Sequence, residues 1–272
     1  MKTRVLITGG SGLLALNWAA FARERFEVAL GLHQRCIALD GVLTRTIELE
    51  SIDNLIRTFE VEQPNVVIHT VGLTNVEKCE ADPVLSHHVN VTLAENVAKA
   101  CSALNIRLVH ISTDHLFSGQ QALLNEIEPV APMNIYGKTK AEAELRVLDI
   151  LPSALVIRTN FYAWGTSYRQ SFSDVVLGAL RSGKGMTLFR DVFYTPILVE
   201  EVARAVHDLI AVDAKGIFNI VGDERISKSD FGLRLAAQYN LDPSRLTLGL
   251  LAHQSTLVTR PFDMSLSNRK VC

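Results

Sequence analysis

Tyr136 and Lys140 stand four positions apart at the start of an amphipathic segment that also holds Gly137, Lys138 and Thr139. On a helix this spacing puts a phenol and an ammonium one turn apart on the same face. A free phenol has a pKa of about 10, too high to exchange protons readily at neutral pH, and a neighbouring ammonium favours its ionised form. The pair therefore makes Tyr136 a usable general acid. Tyrosine and lysine at this spacing also decorate many helix surfaces, so the context matters. The preceding β-branched run ends in Ser112, Thr113 and Asp114, and the C-terminal ends of parallel strands border the crevice where such sheets bind ligands.

A second cluster, Thr8, Gly9, Gly10, Ser11, Gly12, Leu13, Leu14 and Ala15, follows the first apolar run and opens the first helical segment. Gly9 permits a tight turn, Gly12 lets a pyrophosphate approach the backbone, and Ala15 is small enough for helix and strand to pack closely. A lone glycine motif also occurs in ordinary strand-to-helix turns. Its place at the first strand is what favours a dinucleotide. Sites of this kind select NAD with an acid about 20 residues further on, where it binds the ribose 2′-hydroxyl. Here that place reads Leu32, His33, Gln34 and Arg35. A guanidinium pairs with a 2′-phosphate, so Arg35 predicts NADP, with NAD as the alternative. A solvated loop arginine would leave the same sequence.

Both clusters need a scaffold that brings them together. Short β-branched runs alternate with longer amphipathic segments, the pattern of a parallel sheet covered by helices on both faces. Strands are expected over 4–8, 28–32, 46–49, 65–69, 107–111 and 154–158, and helices over 12–25, 51–60, 83–104 and 136–148. The fold class is α/β: a Rossmann doubly wound parallel sheet with a smaller C-terminal substrate-binding domain. Residues 1–160 make the NADP-binding Rossmann domain, and 161–272 mainly the substrate-binding part. Segments near 199–221 read again as helix and strand, open to a return to the first domain.

The bulk numbers exclude several classes. With 272 residues, 48% hydrophobic and 21% charged, the chain can bury a large core without staples. A net charge of -2 gives no long-range attraction to nucleic acid or an anionic membrane. Cys36, Cys79, Cys101 and Cys272 lack the paired spacing of a zinc or redox site and read as reduced thiols of a cytoplasmic protein. No metal is expected, since His87 and His88 have no carboxylate or cysteine at ligand spacing. Lys2 and Arg4 before an apolar stretch mimic a secretory signal, but Gly9, Gly10 and Gly12 interrupt it. No segment reaches the roughly 18 apolar residues of a membrane span.

The glycine cluster, the run from Ser112 to Phe117, the segment from Ala131 to Lys140 and the triplet Arg158, Thr159, Asn160 resemble extended short-chain dehydrogenases. The likeness is to the dTDP-4-dehydrorhamnose reductase family and covers nearly the whole chain, including Asn75 to Glu80 and Asn90 to Thr92. The resemblance implies an NADPH-dependent reductase of a keto group on a nucleotide-linked deoxysugar. It implies that Thr113 holds the substrate carbonyl, Tyr136 donates the proton and Lys140 binds the nicotinamide ribose. Gly9, Gly12, Leu13 and Leu14 would cradle the phosphates. Glu48 and Leu49 would flank the adenine, and Val71, Gly72 and Leu73 would run along the cofactor. Asp114 and Phe161 would contact substrate, with the 191–196 loop as the opposite wall, and Arg260, ahead of Pro261, is expected on the sugar's diphosphate.

Some departures bear on the sugar. Ala15 replaces a frequent third glycine, His115 a tyrosine, Phe161 a tryptophan and Ser265 an arginine, and the 191–196 loop lacks the usual glutamine and glycine. GDP-fucose synthase-like members, which epimerise before reducing, carry a cysteine where Asp114 stands. Plain reduction is therefore favoured. A second class stays open, a non-catalytic NADP-binding subunit similar to the regulatory β subunit of methionine adenosyltransferase, which also has arginines near the second strand. The expected partner is a nucleotide-sugar substrate, with no nucleic acid or membrane and with room for a homodimer.

Overall fold

The computed structural model describes residues 2–271, so Cys272 lies outside the described residues. In chain order the first elements are β1 (Arg4–Thr8), α1 (Leu13–Ala22), β2 (Glu27–Leu32), β3 (Leu43–Thr46), α2 (Ile52–Glu62) and β4 (Val66–His69). There follow α3 (Val76–Ala81), α4 (Pro83–His87), α5 (Leu93–Ala103), β5 (Arg107–Ile111), α6 (Ile135–Ile150) and β6 (Leu155–Arg158). The rest comprises β7 (Phe161–Tyr162), α7 (Phe172–Ser182), β8 (Met186–Phe189), β9 (Phe193–Tyr194), β10 (Ile197–Leu198) and α8 (Val199–Ala211). Last come β11 (Gly216–Asn219), β12 (Ile226–Ser227), α9 (Lys228–Gln238) and β13 (Leu246–Gly249).

Alternate residues of the central strands are apolar on both sides, and each side is covered. Val5, Ile7, Ile68, Val109 and Ile157 pack with residues of α1 and α8, while Leu6, Val67, Leu108 and Val156 pack with residues of α2, α5 and α6. Each such aliphatic side chain stabilises the fold by about 1.5–3 kcal/mol when fully buried. The seven strands form one parallel sheet in the order β11-β6-β5-β4-β1-β2-β3. This is a doubly wound α/β sheet whose order reverses between β1 and β4, the place where a crevice opens beyond the strand ends. Trp18 of α1, fully buried, donates its indole N–H to His207 of α8 at 3.1 Å and so ties the two helices together.

Two elements differ from the sequence reading. The third strand runs over Leu43–Thr46 rather than 46–49, because its own residues are mostly exposed at the sheet edge and carry no apolar run. The apolar Ile47 and Leu49 come after it, where the chain folds over the strand ends. The helix expected over 83–104 is interrupted by a π-helical turn at His88–Thr92 between α4 and α5. That turn accommodates Asn90, whose side-chain oxygen accepts from Leu73 N–H at 2.7 Å and whose amide donates to the Thr139 hydroxyl at 3.0 Å.

After β6 the chain builds three two-stranded pairs, β10 with β7, β12 with β9 and β13 with β8. Val192, Tyr194, Ile226, Phe231, Leu251 and Met264 form a separate apolar cluster there. Midway, α8 packs against α1 and β11 joins the large sheet beside β6. The fully buried Asn219 then donates to Leu124 O at 3.1 Å and Ser267 O at 3.0 Å, fastening the C-terminal segment to the loop after β5. Ser265 serves the same junction, donating to the Asp263 carboxylate at 2.6 Å and accepting from Leu123 N–H at 2.8 Å. Cys36, Cys79 and Cys101 are free thiols. Among the described residues, no helix is long and apolar enough to cross a membrane.

Candidate active site

The turn after β1 is built by its glycines. Gly9 has φ +74°, and a Cβ there would come within 2.9 Å of the Thr70 hydroxyl. Gly12 N–H closes the turn on Gly9 O at 2.7 Å, and Gly12 then caps α1 with no side chain on its first N–H groups and no acid in the first turn. Those free donors and the positive end of the helix favour an anion. Gly12, Leu13 and Leu14 line a cleft of about 380 Å³ that reaches past Val71 and Gly72 to Thr113, Asp114, Tyr136 and Lys140.

Helix α6 brings Tyr136 and Lys140 to this cleft. Asn134 caps it, accepting from Gly137 N–H at 2.9 Å, and its amide holds Thr259 O at 3.0 Å. A Cβ at Gly137 would fall 2.3 Å from His115 O, so a glycine lets the helix sit against the end of β5. The buried Lys140 ammonium donates to Ile111 O at 2.6 Å and lies 3.4 Å from His110 Nε2. With two of its three N–H donors so directed, one remains for a ligand. Behind it Thr8, His69 and His110 stand in register across β1, β4 and β5, with Thr8 Oγ1 and His69 Nδ1 2.8 Å apart.

Burial sets the proton affinities here. It pushes Lys140 down to about 8, opposed by the Glu144 carboxylate one turn along α6. The same burial raises Tyr136 well above an ordinary phenol, against a hydrogen bond with Thr113, while Asp114 and Cys79 add to the rise. Lys140 is not among the groups acting on the phenol, which differs from the sequence argument. Its ammonium is turned to Ile111 and His110, so the phenol keeps its proton at neutral pH. Asp114 is buried, accepts from the Asn160 amide at 2.5 Å and lies 3.3 Å from the Thr113 hydroxyl. The assembly can offer a proton and a hydroxyl to an oxygen beside the cleft, with a carboxylate close by.

A second recess of about 160 Å³ adjoins the glycine turn, lined by Gly9, Leu32, Ile47, Glu48, Leu49 and Val71 among others. Its apolar walls and the absence of an acid at the end of β2 suit an adenosine carrying a 2′-phosphate. The anion-accepting turn, this recess and the cleft thus fit the parts of a dinucleotide in order.

Other expected residues lie elsewhere. Arg35 lines neither cavity, and its guanidinium stacks 4.0 Å over the ring of Tyr168. Leu73 also lines neither, since Asn90 grips its backbone from both sides and its side chain packs on Val76, Cys79 and Tyr136. Arg260 is outside the cleft lining, paired with Glu77 of α3 and bonded to Val258 O at 3.2 Å. Phe161 does line the cleft, but the 191–196 loop does not. Asp191 is spent on the N–H groups of Leu251 and Ala252, and Val192 and Tyr194 are buried in the small apolar cluster. Arg169 and Gln170, which sequence reasoning missed, line the cleft instead. They lie in a stretch without periodicity, so no pattern marked them. Asn90 was also missed as a positioning residue; its amide is one of two buried on that helical segment, with Asn96, and the pattern did not single it out.

Comparison with known proteins gives consistent matches along the whole chain. The RmlD substrate binding domain family matches residues 3–272. The chain is 27% identical over 260 residues to a probable low-salt glycan biosynthesis reductase, Agl14, of Haloferax volcanii, covering 94% of this chain and 86% of that one. It is 28% identical to methionine adenosyltransferase 2 subunit beta of Rattus norvegicus, covering 89% of this chain and 74% of that one. A hypothetical dTDP-4-dehydrorhamnose reductase from Sulfolobus tokodaii superposes with TM-score 0.86 at 27% identity, covering 99% and 93% of the two chains. The same fold recurs, at TM-score 0.87 and 21% identity, in a dTDP-4-dehydrorhamnose reductase of Bacillus anthracis in complex with NADP, covering 98% of this chain and 91% of that one.

Proposed function

The chain belongs to the RmlD substrate binding domain family, and from that we propose that it is an NADPH-dependent reductase of a keto group on a nucleotide-linked deoxysugar. The observation that carries this reading is one cleft holding the glycine turn at one end and Thr113, Tyr136 and Lys140 at the other. Bound reduced nicotinamide supplies the hydride to the keto carbon. Thr113 holds the carbonyl oxygen by its hydroxyl, and Tyr136 delivers its retained proton as negative charge grows there. Lys140, fixed by Ile111 O and His110, turns its remaining N–H to the ribose. Asp114 and Phe161 bound the place of the sugar. The protein acts in the cytoplasm as a soluble enzyme.

The test is NADPH oxidation with dTDP-4-dehydrorhamnose, followed by loss of nicotinamide absorbance. Turnover supports the reading, and no turnover with this or related keto-sugar nucleotides counts against it. The likeness to methionine adenosyltransferase 2 subunit beta favours one rival, an NADP-binding regulatory subunit. That rival wins if the chain oxidises no NADPH yet binds a partner enzyme tightly. Cofactor choice gives a further expected result. Arg35→Ala removes most of the preference for NADPH over NADH, about ten- to hundredfold for one charge-assisted phosphate contact. It is read as the ratio of the two dissociation constants, and equal affinities in the unmodified chain would remove its basis.

A further inference from the structure

The segment between β7 and α7 is fastened at both ends. At one end Asn17 of α1 donates to Trp164 O at 2.9 Å and accepts from Trp164 N–H at 3.2 Å. At the other Ser171, which caps α7 through a reciprocal bond with Asp174, donates to Ala163 O at 2.9 Å. Between these anchors Thr166 N–H bonds to Arg169 O at 2.7 Å and Arg169 N–H to the Thr166 hydroxyl at 3.1 Å, closing a tight turn. The turn presents two side chains with different neighbours. Tyr168 lies under the Arg35 guanidinium, and Arg169 lines the cleft together with Gly12, Leu13 and Leu14.

Among the described residues, neither Arg35 nor Arg169 has an ion pair or a hydrogen bond through its guanidinium; Arg35 only stacks. Arg169 is solvent-exposed, and its guanidinium, facing the same cleft as the positive end of α1, gains charge-assisted hydrogen bonds when an anion lies between them. The anion expected beside Gly12, Leu13 and Leu14 is the diphosphate of a dinucleotide.

We propose that residues 166–169 form a strap over the bound dinucleotide, in which Arg169 pairs with the diphosphate and Tyr168 holds Arg35 against the 2′-phosphate. This rests on the NADPH reading above and adds to it two residues that belong neither to the glycine turn nor to the group of Thr113, Tyr136 and Lys140. Arg169 is a binding residue and Tyr168 a positioning residue that acts through Arg35. The two roles separate, because the diphosphate is common to NADPH and NADH while the 2′-phosphate belongs to NADPH alone.

The experiment measures dissociation constants of NADPH and NADH by nicotinamide fluorescence on the full chain, with ligand-free melting as a control for folding. Arg169→Met should weaken both cofactors by the same factor, about tenfold. Tyr168→Ala should weaken NADPH several-fold and leave NADH unchanged, and Tyr168→Phe, which keeps the ring, should restore NADPH binding. If Arg169→Met leaves both constants unchanged and instead raises KM for the nucleotide sugar, the arginine belongs to the substrate and the strap is overturned. Equal losses for both cofactors in Tyr168→Ala would reduce that residue to a structural one and overturn its part. Failure of the unmodified chain to bind either cofactor would instead overturn the cofactor reading itself, and the strap with it.

Discussion

Tyr136→Phe is expected to lower turnover of a keto-sugar nucleotide by about 10²–10⁴-fold, the range for a lost general acid, while the dissociation constant of NADPH stays nearly unchanged. The ring is buried against Val76 and Cys79, and phenylalanine keeps that packing. Only the hydroxyl is lost, and with it the proton that burial holds on the phenol. Neither Thr113 nor Asp114 replaces it. The Thr113 hydroxyl is a far weaker acid, and Asp114 shares its carboxylate with Asn160. Steady-state kinetics beside a cofactor titration separate the two effects. Retained turnover would remove Tyr136 from the chemistry, whereas weakened NADPH binding would point to a misplaced cleft.

A steep loss of stability between about pH 6.5 and pH 5 is the second large effect expected, and it comes from buried histidines that pass no proton in the reaction. His69 and His110 are buried in the sheet, and His207 is buried between Trp18 and Phe26. Burial lowers His69 to about 3 and His207 to about 4, with Lys140 adding to the first and Arg25 to the second. His110 is lowered well below its ordinary value by burial, then by Lys140 and His69. In the unfolded chain all three return to about 6.5. Below that pH the unfolded state binds more protons than the folded one, so the stability present above pH 6.5 is lost as the pH falls. Each group costs about 1.4 kcal/mol per pH unit until its folded pKa is approached. Three together remove about 4 kcal/mol per unit, against a typical total of about 5–15 kcal/mol. Urea midpoints measured from pH 7.5 to pH 5 test this directly, and a flat series would contradict it.

Much of the fold was legible because its signals are local. The glycine cluster marks a turn that only its backbone can make, and β1, β4 and β5 are apolar on both faces because both are covered. The third strand was misplaced for the opposite reason: its paired residues are exposed, and the apolar Ile47 and Leu49 beyond it line the recess beside the glycine turn. In the site, Tyr136 and Lys140 were readable from their spacing together with the strand end at Ser112, Thr113 and Asp114 that precedes them. How Lys140 is held was not, since Ile111 O and His110 come from a different strand and leave no mark beside the lysine. The pairing of Arg260 with Glu77 left no mark in the sequence, since Glu77 lies far away on α3, a short helix that periodicity did not announce. Arg169 and Gln170 reach the cleft in a segment that Asn17 fastens through Trp164, a contact between distant parts of the chain.

The return of α8 and β11 to the large sheet has a mechanical consequence. The chain leaves the sheet at Asn160, comes back at Val199 and departs again after Asn219. The covering part is therefore tethered at three places, and Asn219 adds a lateral stitch to Leu124 and Ser267 near the third. The three crossings lie side by side, since Phe161 pairs with Ile197 and Arg158 with Asn219, so the cover is held along one short seam. A cut at any one of these crossings would leave the other two still holding the cover in place.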